Sequence, residues 1–75
     1  MARKLRYTVY DTARHVWLRE AIMPTGDRSA MVTTWTQRPE RAQRFPGIKS
    51  ADAMLEKLGR FSEFVIVNGK GEIVG

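Results

Sequence analysis

A chain of 75 residues with no cysteine must hold itself together with a single hydrophobic core, because no disulfide braces it and a second core has no room. A core of this size leaves about 3–5 kcal/mol of net stability. Every buried side chain therefore matters, and the chain must fold as one domain, residues 1–75. The lack of cysteine also removes thiolate metal sites and thiol nucleophiles. Its 43% hydrophobic and 28% charged residues, free of low-complexity tracts, are those of an ordered globular protein.

Hydrophobic periodicity then divides the chain. Leu5-Arg6-Tyr7-Thr8-Val9-Tyr10 alternates with period two, which predicts a half-buried strand with Leu5, Tyr7 and Val9 facing in. The turn-forming Asp11-Thr12-Ala13-Arg14 leads to residues 16–22, a returning strand with Val16, Leu18 and Ile22 on one face. A helix over 12–23 competes for the same residues, but its start lacks strong helix formers, and the strand is preferred. Pro24-Thr25-Gly26-Asp27-Arg28-Ser29 reads as a loop, and Met31 to Trp35 as a third strand ending at Thr36.

Thr36 is placed to cap a short helix over 37–44 with Pro39 in its first turn, and Pro46-Gly47 stops it. Ser50 is expected to cap a second helix, with Asp52 in its first turn, Gly59 at its end and Ala51, Met54, Leu55 and Leu58 as its buried stripe. Residues 61–67 read as a strand, Asn68-Gly69 as a turn and Glu72-Ile73-Val74 as a last strand. The expected fold class is α+β in the order β-β-β-α-α-β-β, a small antiparallel sheet with two short helices on one face.

Little of this carries chemistry. His15 is the only histidine and has no cysteine or second histidine to complete a metal site. The acids are scattered, most beside a basic residue. Gly69-Lys70-Gly71 with Gly75 lacks the spacing and the following helix of a phosphate loop. Ser29, Thr33, Thr34 and Ser62 have no nucleophile-elbow context. The expectation is a non-enzymatic protein with no cofactor, no catalytic residue, no metal and no small-molecule substrate. Met1-Ala2-Arg3-Lys4 is basic, but no apolar signal segment follows it and no run is long enough to span a bilayer. A cytoplasmic protein without a membrane partner is expected.

Charge points toward a macromolecular partner. The net charge is +5, and residues 1–49 hold ten Lys/Arg against four Asp/Glu. Such an excess favours an acidic protein surface or nucleic acid, and it also serves plain solubility. Arg38, Arg41 and Arg44 recur every three residues, so on a helix they would form a cationic ridge opposite Ala42 and Phe45. Guanidinium groups so placed repel one another unless an anion neutralises them, which makes the ridge a candidate partner-binding edge. A solvated helix face is the plain alternative. Tyr10 and Trp17 fall on the polar side of their strands and form a candidate exposed aromatic patch. Arg19, two residues beyond Trp17, completes the candidate contact set.

Trp35-Thr36, then Ala42 and Phe45 on the first helix, then Ala51 and Leu55 after the Pro46-Gly47 break resemble short single-domain proteins common in phages and prophages. In these a hairpin is followed by W-T, a short A-x-x-F helix, a second helix and a closing strand. The resemblance covers residues 5–67. It rests on packing and capping residues, so it assigns no catalytic or binding residue. It implies a mobile-element origin and a small protein that binds and inhibits or modulates a host or defence protein. Direct nucleic-acid binding is the alternative.

Overall fold

Alternation in the first segments does produce paired strands. The computed structural model describes residues 6–22, 31–59 and 61–74. Leu5, expected to face inward, and the expected loop 24–29 lie outside these residues. Strand β1 (Thr8–Asp11) and strand β2 (Val16–Ile22) form an antiparallel hairpin, with Tyr10 opposite Trp17 and Asp11 opposite Val16. The helix alternative over 12–23 is not adopted. Strand β3 (Val32–Thr36) pairs with β2, and strand β4 (Phe64–Val67) pairs with β1, all antiparallel, giving the order β3-β2-β1-β4.

One residue corrects the facing of β2. Leu18 pairs with Trp35 and Glu20 with Thr34, so Arg19 is an extra residue in a bulge. A bulge reverses the alternation beyond it. Leu18 is fully buried, Ala21 packs against the core, and Ile22, expected inside, is 48% exposed.

The larger correction concerns residues 37–44. The expected helix is only a 3₁₀ turn, Pro39–Arg41. Phe45 precedes Pro46, and a residue before proline is driven out of the helical region. Eight residues cannot offset the cost of helix nucleation by themselves, and here the strands take their backbone groups instead. The Gln43 N–H donates to the Leu18 carbonyl at 2.9 Å, and Phe45 and Tyr7 exchange both backbone hydrogen bonds, at 2.7 and 2.9 Å. The 42–45 segment is thus a wedge between β1 and β2, and it buries Ala42 and Phe45 as the sequence suggests.

Helix α1 (Ile48–Leu58) packs on β4 and β1. It starts earlier than expected, with Gly47 as N-cap. Ser50 is therefore not the cap. It sits in the first turn and its hydroxyl reaches back, accepting from the Gly47 N–H at 3.3 Å and donating to the Gly47 carbonyl at 2.9 Å. Asp52 consequently falls beyond the first turn. The stripe is as read: Ala51 and Leu55 are buried, and Met54 and Leu58 pack at their margin. Val9, Leu18, Phe45, Ala51, Leu55 and Ile66 make the core. The described fold is α+β with a four-stranded antiparallel sheet and one α-helix, rather than five strands and two helices.

Both ends of the last hairpin differ from expectation. Residues 61–64 form a turn, closed by the Phe64 N–H on the Phe61 carbonyl at 3.0 Å, and Phe61 is exposed. Residues 72–74 make only an isolated pairing of Ile73 with Val67 rather than a strand. Asn68 ties the intervening turn, its side-chain oxygen accepting from the N–H groups of Lys70 and Glu72.

Gly59 ends α1 in the left-handed region at φ 103°. A Cβ there would lie 3.0 Å from the Phe61 ring. Gly59→Ala is expected to cost about 1–2 kcal/mol, chiefly from the backbone conformation. Chemical denaturation checks this, and a loss below a few tenths would mean that the cap relaxes freely.

Candidate partner-binding surface

Because α1 covers one face of the sheet, the other face is left to solvent and to the connections. Strand pairing places Thr8, Tyr10, Trp17, Val65 and Val67 together on that uncovered face. The rings of Tyr10 and Trp17 pack 4.7 Å apart between centroids, tilted by 50°. The Tyr10 hydroxyl is hydrogen-bonded to Nδ1 of His15 at 2.9 Å. His15 sits at φ 58° and its N–H closes the turn on the Asp11 carbonyl at 2.8 Å. It is an exposed turn residue that steadies a ring of the aromatic pair.

These rings floor a groove of about 600 Å³ together with Thr8 and Val67. Pro39, Glu40 and Arg44 border it from the wedge segment, and Asn68, Gly69, Gly71 and Ile73 from the last hairpin. Arg6 also lines it. Its lining is mainly apolar and aromatic, with two guanidinium groups and one carboxylate, so it suits an apolar group carrying negative charge.

A second recess, about 490 Å³, is lined by Arg19, Arg38 and Arg41 with Trp35, Thr36 and Gln37. No acidic side chain among the described residues lines it. Two local features bring the arginines together. The bulge inserts Arg19 into β2. The Thr36 hydroxyl accepts from the Arg38 N–H at 3.0 Å, which turns the chain as it leaves β3.

Arg38, Arg41 and Arg44 therefore do not form one helical ridge. The 3₁₀ turn separates them: Arg38 and Arg41 join Arg19 in the recess, and Arg44 joins Tyr10 and Trp17 in the groove. All four arginines are exposed. Arg6 was missed in the sequence, although the alternation that sets Tyr10 on the polar side of β1 also sets Thr8 and Arg6 there.

Asp11 is the buried acid of the described residues, 2% exposed. Burial alone would raise its pKa. The Arg14 guanidinium at 2.7 Å and the N–H groups of Arg14 and Ala13 at 3.2 and 2.9 Å outweigh burial and hold the carboxyl below its ordinary value. Arg14 also lies over the Trp35 ring at 4.8 Å. This is a structural turn, tied to the helix-covered face by its contact with Trp35.

No three His, Cys, Asp or Glu side chains group as a metal site among the described residues. No helix among them is long and apolar enough to cross a membrane. In comparisons with known proteins, no protein family, no curated sequence and no solved structure matches this chain.

Proposed function

We propose that this chain is a non-enzymatic binding module that works in the cytoplasm by occupying an acidic surface of a partner protein. Inhibition or modulation of a host or defence protein is the consequence, in keeping with the phage and prophage proteins that the sequence resembles. The observation that carries the reading is the recess in which Arg19, Arg38 and Arg41 meet with no acid from the described residues in its lining. Guanidinium groups brought together from two elements repel each other in the free protein, and a partner carboxylate relieves that repulsion with charge-assisted hydrogen bonds. Arginine is also a residue in which interfaces concentrate their affinity.

Direct nucleic-acid binding is the second reading, favoured by the Tyr10–Trp17 pair beside Arg6 and Arg44. It is the weaker of the two. The rings are canted against each other and bordered by Pro39 and Ile73, a pocket shape rather than a flat stacking platform.

Affinity capture from host lysate, with and without nuclease, separates the readings. A protein captured equally in both is expected, and Arg41→Glu should weaken its binding by more than about tenfold, the effect of losing a charge-assisted contact and adding repulsion. Lys49→Glu makes the same charge change on α1 and should leave capture nearly intact. Equal losses from both variants, or capture that nuclease abolishes, would instead mean diffuse attraction to nucleic acid.

A further inference from the structure

The groove asks for something that the recess does not. Acidic groups alone would answer Arg19, Arg38 and Arg41, yet next to them lies an apolar groove floored by two aromatic rings. The crest between the two is the 3₁₀ turn Pro39–Arg41 with its N-cap Arg38: Arg38 and Arg41 line the recess, and Pro39 and Glu40 between them line the groove. A ligand crossing this crest meets an apolar cavity on one side and a cationic one on the other.

We propose that the groove seats one bulky apolar side chain, aromatic by preference, of an acidic polypeptide segment whose carboxylates reach the flanking arginines. This rests on the reading that the partner is an acidic protein, and it names the partner's contact motif. Charge complementarity selects the occupant. Across groove and recess five guanidinium groups, Arg6 and Arg44 with Arg19, Arg38 and Arg41, face the single carboxylate of Glu40 among the described residues. A neutral apolar peptide would leave that excess unanswered, and a basic one would add to it. The floor selects the anchor, since the Tyr10 and Trp17 rings with Val67 offer an aromatic and apolar surface against which a ring packs with more contact than a methyl or isopropyl group. A nucleotide would bring the negative charge, but the tilt of 50° between the two rings leaves no shared plane on which successive bases could stack.

The test starts from a displayed library of random short peptides panned against the whole folded chain. Selected peptides are then compared with their anchor-to-Ala forms by fluorescence anisotropy. Enriched peptides should combine Asp or Glu with a large apolar residue, and replacing that residue by Ala should weaken binding about tenfold, the usual scale for an interface anchor. Thr8→Trp, which places a bulky strand-compatible side chain on the groove floor and is checked for folding by circular dichroism, should weaken the parent peptide to the level of its Ala form. Trp17→Ala should do the same, with a circular-dichroism melt confirming that it is folded. Arg41→Glu should weaken both peptide forms by one common factor. Acidic peptides without a large apolar residue, or an anchor effect that survives Thr8→Trp, would overturn the groove assignment while leaving the acidic-partner reading standing. Enrichment of neutral or basic peptides, or an oligodeoxythymidine that binds more tightly than every selected peptide, would overturn both.

Discussion

Phe45→Ala is expected to leave most of the chain unfolded at room temperature. Truncating a buried Phe costs about 3–5 kcal/mol, as much as the roughly 3–5 kcal/mol that holds a domain of this size together. Phe45 is 6% exposed and packs with Val9, Leu18, Ala51, Leu55 and Ile66. It also anchors the wedge, so a cavity at its ring loosens the paired hydrogen bonds with Tyr7. Those bonds position Arg44 at the groove, which ties this packing to the proposed binding surface. Leu55→Ala should lose about 2–5 kcal/mol, whereas Phe61→Ala, at a ring 56% exposed, should change little. Far-UV circular dichroism with urea titration measures all three, and a Phe45→Ala protein with the parent's midpoint would show that the wedge does not depend on its side chain.

Asp11→Ala should cost about 2–3 kcal/mol, because it removes the acceptor of two backbone N–H groups and of a charged guanidinium at once. The same carboxyl makes part of the fold's stability depend on acid. Its folded pKa is lowered below 3.8, so the native state favours the ionised form. The contribution is complete above the unfolded value near 4, declines as pH falls below it and is gone beneath the folded value. Asp11→Asn keeps an acceptor for the backbone but loses the charge. Its melting temperature should lie below the parent's at neutral pH, and the gap should close as pH falls below about 4. A gap that stays constant down to pH about 2 would place the stabilisation in the turn geometry and not in the charge.

That the main strands and α1 were legible, while the arginine cluster was not, has a physical cause. Local pattern is enough where a segment's neighbours only reinforce it. The alternation from Leu5 to Tyr10 marks β1, which runs Thr8–Asp11, the β-branched and aromatic run gives β2 with its bounds Val16–Ile22, and the Ala51-Met54-Leu55-Leu58 stripe with Gly59 gives α1 and its end. Asn68-Gly69 gives a turn.

Tertiary structure decided what local pattern left balanced. In 37–44 a weak helical preference, cut short by Pro46, competed with hydrogen bonds that Tyr7 beside β1 and Leu18 of β2 offer from far along the chain, and those bonds won. That outcome broke the every-third-residue arginine ridge and sent Arg44 to the aromatic pair. The Arg19 bulge, which turned Ile22 outward and brought Arg19 to Arg38 and Arg41, depends on register with β3 and leaves no mark within β2 itself. Sequence therefore determined which residues were cationic and aromatic, and long-range backbone pairing, helped by the local Thr36 turn, determined which of them meet.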